Sequence, residues 1–498
     1  MSVQTIVENG FDGIVAEIEC QTTRGLPSII IVGFAGKAVD EAKERIRSAF
    51  SCLPVDFPKR RITINLAPAD IPKQQASFDL AIAVSILEAS QAIPPVPRKA
   101  SFFGELGLDG SIRPVRGLIG KLLSARQNGL TTAFIPESNV AQARLIDGLN
   151  VYPCQKLSQV FLHLNGQQVL VALSGASVLP KSTTASPVDF ADVIGQEQAK
   201  RALTIAAAGR HNILLSGPPG TGKSMLAKAL ISVLPPMNRA EILEATHLHS
   251  LHGKNYELTV TRRPFRSPHH SASQTSIIGG GSKPRPGEIS LAHHGVLFLD
   301  EFPEFQRNVI ESLRQPLEDR IITLSRAHDS LQLPANFILV ATANPCPCGY
   351  YGTPKACTCQ QAKLNNYRRK LSGPIIDRID VYVDVENVEH AQLLAKNSGP
   401  VTTRQVLDQV NRAITHQHNR FGHSKYNSDM TNKEVKRLAH LEDEARSLLD
   451  SGAQQLELSP RAYMRTLKVA RTIADIDDSD TVKAQHIAEA LQYRPILP

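Results

Sequence analysis

Residues 213–224 read ILLSGPPGTGKS: a short apolar run, a glycine-rich turn, and then a helix-like segment that continues to Val233. Gly217, Gly220 and Gly222 let the backbone turn tightly, so that successive N–H groups and the helix N-terminus point at one place. Pro218, Pro219 and Thr221 complete the turn, Lys223 adds a point charge suited to β/γ-phosphate oxygens, and the Ser224 hydroxyl can occupy one Mg²⁺ position. The pattern predicts a phosphate-binding loop for ATP with Mg²⁺.

Such a loop needs an acid that holds the metal and a group that activates water, both on a neighbouring strand. Residues 295–301, GVLFLDE, supply Asp300 for Mg²⁺ and Glu301 to orient and polarise the attacking water. A third apolar run, 337–343, ends at Asn344, a polar group placed to sense the γ-phosphate or the water. Three buried strands with polar tips at their C-terminal ends predict a parallel α/β sheet.

This arrangement resembles an AAA+ ATPase. DVIGQ at 192–196 is similar to the stretch that packs on adenine in such proteins, which puts Val193 and Ile194 at the nucleotide. LSGPIIDRIDV at 371–381 places Arg378 where the family has its arginine finger. SPRAYMRTLKVAR at 459–471 has Ser459 as N-cap and Pro460 in the first turn, with Arg461 where the second sensor sits. A finger supplied to a neighbour's site implies a ring, with a homo-hexamer as the default.

The 498 residues are too many for one core. No apolar run reaches eighteen residues and no charged-then-apolar leader opens the chain, so the expectation is a soluble cytoplasmic protein without a membrane partner. A net charge of +8 favours an acidic partner, with nucleic acid the commonest. The first 170 residues carry no phosphate loop; strands at 14–19, 28–32 and 62–66 with helices at 40–50 and 79–89 predict an α/β domain. From Gly33 through INLAPADIPK to FFGELGLDGSIRPVRGLIGKLL, it is similar to the Lon protease proteolytic domain. Ser77 stands at the family's serine, but Ile119 occupies the place of the activating lysine and Lys121 falls two positions away. Gln74, Gln75 and Asp79 replace the glycine-rich surround. A serine without a base is a poor nucleophile, so proteolysis is not expected.

The expected order is therefore a Lon-protease-like domain at 1–173, a small, polar, proline-punctuated linker at 174–187, the ATPase core at 188–385 and a helical lid at 386–498. Lid helices are expected at 402–419, 433–449, 460–476 and 481–493. Two insertions interrupt the core. The first, 246–294, holds six Lys or Arg against two acids and includes RRPFRSPHH, with Arg262, Arg263 and Arg266 as candidate DNA contacts. The second, 321–333, alternates as a hairpin around Ala327, with Arg326 and His328 at the tip as further DNA candidates. These insertions resemble the helix-2 insert and pre-sensor hairpin of the clade shared by Mg chelatases and minichromosome maintenance helicases.

With RPGEISLAHHGVLFLDE and NPCPCG between the Lon-like domain and the lid, nearly the whole chain resembles the ComM/YifB family of competence proteins. That resemblance implies a hexameric DNA helicase or translocase acting on single-stranded and branched DNA. Its work would be branch migration and integration of incoming strands by homologous recombination during natural transformation, alongside recombinase or DNA-processing proteins. Residues alone leave two other readings open, a Mg-chelatase-type motor subunit and a protein-remodelling ring. Cys346, Cys348, Cys357 and Cys359 form two C-x-C pairs able to close on a structural Zn²⁺, with free thiols and a regulatory disulfide as alternatives. His247, His249, His252, His269, His270, His293 and His294 lack companions at metal spacing.

Overall fold

The computed structural model describes residues 2–9, 11–33, 37–69, 76–173, 188–253, 256–281, 285–325, 330–352, 354–370, 375–388 and 402–495. Arg326, His328, Gln74, Gln75 and the whole of 174–187 lie outside them. The chain divides into two compact units, residues 1–181 with 238–261 and 325–333, and residues 182–237 with 262–324 and 334–498. None of the helices described is long and apolar enough to cross a membrane.

The first unit is built on a seven-stranded mixed sheet ordered Ser28–Val32, Arg61–Ala67, Asp12–Thr23, Ser2–Asn9, Ala100–Phe102, Thr132–Pro136, Asn150–Cys154. Its antiparallel middle comes from Asp12–Thr23, which pairs with Ser2–Asn9 on one side and Arg61–Ala67 on the other. The helix Asp79–Ala89 (DLAIAVSILEA) is apolar all round and buried from Asp79 to Glu88, as a central helix must be. Asp79 opens it and is held by Arg45 at 2.7 Å and by the Leu106 N–H at 3.1 Å. Without those partners, a carboxylate this deep would cost several kcal/mol.

The helix Arg239–Ser250, whose last turn enters the first insertion, also belongs to this unit. Asn238 and Glu241 close a reciprocal capping box at its start. Arg239 reaches Asp147 at 2.8 Å and His247 bonds the Phe11 carbonyl at 2.8 Å. Sequence reading treats residues from 246 on as too polar for a core, yet Thr246, His247 and Ser250 are buried. Each polar side chain has a backbone partner, which is what makes the burial tolerable.

The second unit holds an all-parallel five-stranded sheet ordered Phe265–Arg266, Val296–Leu299, Ile338–Ala343, Ile213–Ser216, Val381–Asp384. The three central strands are VLFL, ILVATA and ILLS, near-continuous apolar runs of the kind that a sheet covered on both faces requires. Asn212, just before the loop strand, ties the N-terminal end of the sheet together: its amide bonds the Leu339 N–H and the Arg378 carbonyl, and its N–H reaches Asp380.

The C-terminal region is helical: Thr403–Phe421, Asn432–Leu438, Asp443–Gln455, Pro460–Ile476 and Ala484–Gln492. The single helix expected over 433–449 is two, because His440 takes a left-handed φ of 46° and the Val482 N–H bonds its carbonyl. Helix Pro460–Ile476 begins as its sequence predicts, with Ser459 accepting the Ala462 N–H at 3.2 Å. Asp475 is buried at the hub of this region, bonded by Arg420, Arg471 and Asn427.

Candidate nucleotide site

Parallel pairing aligns the C-terminal ends of three strands, and each end delivers a polar group. Ser216 pairs in register with Ala343, so the glycine-rich loop and Asn344 leave the sheet side by side. Gly220 (φ +83°) and Gly222 (φ +86°) occupy the left-handed region, where other residues are strained, and a Cβ at either would meet nothing within 4 Å. The loop thus opens onto free space. Gly217 is needed for a different reason: a Cβ there would lie 2.2 Å from the Val385 carbonyl oxygen.

Lys223, the first residue of the helix Lys223–Ala229, folds back over the loop. Its ammonium donates to the Gly217 and Pro218 carbonyls at 2.6 and 2.7 Å and to Asn344 Oδ1 at 3.2 Å. Burial pushes the lysine's pKa down, and the nearby Asp300 and Glu301 carboxylates oppose that shift. Thr221 ties back to the Pro218 carbonyl at 3.0 Å.

Asp300 sits between two hydroxyls, accepting from Ser224 at 3.1 Å and from Thr342 at 2.6 Å. The Thr342 oxygen also accepts the Glu301 N–H at 2.9 Å and so fixes the backbone of the adjacent acid. Glu301 itself has φ +52°, an uncommon state for a non-glycine residue, and its exposed carboxylate stands 3.8 Å from His270. Hydroxyl and carboxylate oxygens gathered beside a lysine ammonium form a donor set that fits Mg²⁺ and phosphate.

Sequence reasoning misses Thr342, although a polar residue two places before Asn344 in an apolar run shares its face and was a readable signal. It also misses Tyr367, whose hydroxyl accepts the Asn344 N–H at 3.3 Å. Val193 is buried in the core with Phe190, whereas Ile194 is half-buried.

Arg378 and Arg461 lie elsewhere in this unit. Arg378 closes a short turn, Ile376–Arg378, at the N-terminal end of the strands, where Asn212 bonds its carbonyl. Four residues of strand, about 13 Å, separate that level from the phosphate loop. Its guanidinium is paired with Glu318, and Arg461 bonds the other oxygen of the same carboxylate at 3.2 Å. The shared partner brings the two arginines together, and no sequence spacing announces Glu318.

The candidate DNA arginines separate into two kinds. Arg263 is buried, donating to the Pro235 and His294 carbonyls at 2.6 and 2.7 Å. Arg266 makes a two-pronged bond with Glu288 at 2.6 and 2.7 Å. Arg262 is exposed. Charge in this stretch therefore serves the protein's own packing at two of three positions, a use of guanidinium groups that a charge count does not reveal.

The four loop cysteines converge. Cys346 Sγ lies 3.3 Å from Cys348 Sγ and 3.8 Å from Cys357 Sγ, Cys348 and Cys357 are 3.5 Å apart, and all four sulfurs fall within 4.8 Å of one another. None is disulfide-bonded. Four thiolates at about 2.3 Å from a tetrahedral zinc ion would be ~3.8 Å apart, so the cluster fits the metal.

In the first unit, Ser77 is buried in the turn Ala76–Phe78. Lys121 is buried with its ammonium 2.6 Å from Glu8. Ile119, in the activating position, is wholly buried.

Comparison with known proteins finds relatives over nearly the whole chain. The magnesium chelatase subunit ChlI family matches residues 189–393, a second family described as subunit ChlI of Mg-chelatase matches 18–139, and the ChlI C-terminal family matches 401–494. Competence protein ComM of Haemophilus influenzae is 42% identical over 98% of this chain and 96% of its own length. YifB of Escherichia coli is 40% identical over 96% of this chain and 94% of its own. Lon protease 2 of Bacillus subtilis is 28% identical over 191 residues, about a third of each chain. The chain belongs to the ComM/YifB family, a Mg-chelatase-like AAA+ family of ATPases with a Lon-like region.

Proposed function

We propose that the chain is the subunit of a hexameric, ATP-driven DNA motor that moves single-stranded and branched DNA. Its task would be branch migration and integration of single strands in homologous recombination during natural transformation. The observation that carries the ring is the place of Arg378 and Arg461. Arg378 lies at the end of the sheet opposite the phosphate loop and shares Glu318 with Arg461 of the lid helix, which supports a finger that serves a neighbour's nucleotide rather than the one on its own loop. Competence, for which the Haemophilus influenzae relative is named, supports DNA as the substrate, as does the net charge of +8.

In the site, the loop N–H groups and Lys223 would hold the triphosphate of ATP, with Val193 and Ile194 near the base. Ser224 and Asp300 would hold Mg²⁺, which would neutralise phosphate charge. Glu301, its backbone fixed by Thr342, would orient water in line with the γ-phosphate. Asn344 touches Lys223 and would feel the γ-phosphate. The strand that ends at Asn344 follows a hairpin of Ile321–Ser325 and Ser330–Pro334. A shift at Asn344 would thus reach the hairpin tip, where Arg326 and His328 would grip a DNA phosphate backbone irrespective of sequence. The Lon-like region would be a non-proteolytic scaffold, since Lys121 is engaged by Glu8 and Ser77 is buried.

The test is movement of a labelled four-way DNA junction by the purified protein. ATP should support it and a non-hydrolysable analogue should not. Arg326→Ala with His328→Ala should abolish movement while DNA-free ATP hydrolysis stays near wild type. Junction movement at the wild-type rate by that double variant would refute the hairpin as lever.

A further inference from the structure

We propose that Cys346, Cys348, Cys357 and Cys359 hold a zinc ion whose loop braces the phosphate loop, so that zinc occupancy sets nucleotide affinity. The proposal rests on the nucleotide reading above and adds a control on that site. Beyond the spacing of the sulfurs, the backbone is arranged for thiolates. The Tyr351 N–H points at Cys346 Sγ at 3.3 Å, and the N–H groups of Tyr350 and Thr358 bond the Cys348 sulfur. Donors aimed at sulfur stabilise the deprotonated ligand that a metal requires. Two C-x-C pairs facing each other overcome the tightness of each pair, because each contributes two corners of the tetrahedron.

The loop and the helix that follows it touch the nucleotide site at three points. Gly349, at φ +85°, approaches Pro219 so closely that a Cβ would lie 2.6 Å from its Cδ. Cys346 follows Asn344 by two residues, and the helix Gln361–Lys370, beginning two residues after Cys359, supplies the Tyr367 hydroxyl to the Asn344 N–H. Lys370, at the end of that helix, bonds the Pro303 carbonyl just beyond Glu301 at 2.7 Å. A metal that fixes the loop therefore fixes Pro219, Asn344 and the segment after Glu301 against one another. Without it, fourteen residues from 346 to 359 regain the conformational freedom that closure had removed.

Full-length protein tests this by zinc analysis and by titration with a fluorescent ATP analogue, first zinc-loaded, then after chelation, then after zinc is restored. We expect about one zinc per chain, and nucleotide binding about tenfold weaker without it and recovered on its return. Coupling is reciprocal, so saturating ATP should slow zinc loss to a chromogenic chelator by a similar factor. Gly349→Ala, which leaves all four thiols in place, should keep its zinc and still bind nucleotide more weakly. A chain without zinc overturns the metal site; a zinc-loaded chain whose nucleotide affinity is unchanged by chelation and by Gly349→Ala overturns the brace. Zinc-loaded wild type that binds no nucleotide overturns the nucleotide reading as well, and so is told apart from either.

Discussion

Lys223→Ala is expected to weaken ATP binding by roughly 30- to 1000-fold, the equivalent of about 2–4 kcal/mol, and to abolish hydrolysis. The ammonium is the one cationic group the structure places on the glycine-rich loop, bonded to two loop carbonyls and to Asn344. In the nucleotide complex it would exchange those contacts for phosphate oxygens. Alanine leaves the phosphates facing the Asp300 and Glu301 carboxylates without a compensating charge, so the loss exceeds that of an ordinary surface pair. Helix Lys223–Ala229 should survive, since alanine is the better helix former. Titration with a fluorescent ATP analogue measures the change, and equal affinity in wild type and variant would remove the loop from the nucleotide site.

Arg378→Ala should bind ATP nearly as wild type does but lose hydrolysis by about 10³-fold or more, the usual worth of an arginine finger. Glu318 keeps Arg461 as a partner, so the substitution does not strand a carboxylate. The decisive experiment mixes this variant with Lys223→Ala. Each alone is inactive, yet an Arg378→Ala subunit keeps its loop and a Lys223→Ala subunit keeps its finger. In a randomly mixed head-to-tail ring, roughly a quarter of interfaces would combine the two intact halves and regain activity. Hydrolysis that stays flat at every mixing ratio would contradict a finger supplied by the neighbour.

Groups carried by the loop and strand tips were the most legible part of the site, because strand periodicity and the parallel arrangement fix where a strand's last residue emerges. Lys223, Ser224, Asp300, Glu301 and Asn344 are found within hydrogen-bonding reach of one another or of Thr342. What periodicity does not encode is which side chains meet across elements far apart in sequence. Glu318 joins Arg378 and Arg461 from sixty and over a hundred residues away, and Tyr367 comes back to Asn344 only after the cysteine loop has turned. Arginine is ambiguous for a related reason: Arg263 and Arg266 read as solvent-facing charge but are satisfied by carbonyls and by Glu288. The helix Arg239–Ser250 was obscured by its polar residues, whose hydrogen bonds to backbone become visible only in the fold. In the first unit, the strand Ser2–Asn9 was missed, and so were the short strands Ala100–Phe102, Thr132–Pro136 and Asn150–Cys154, whose three to five residues carry little alternation.

ATP hydrolysis by this chain is expected to answer to DNA. This is tested most directly by the steady-state ATPase rate of the purified protein with single-stranded DNA, forked DNA, casein or no addition, each at low and moderate salt. Stimulation by both DNAs that falls steeply as salt rises, with no response to casein, is the predicted result, because phosphate contacts release counterions. A rate unchanged by either DNA, or raised by casein instead, would contradict it and point to a motor that acts on protein.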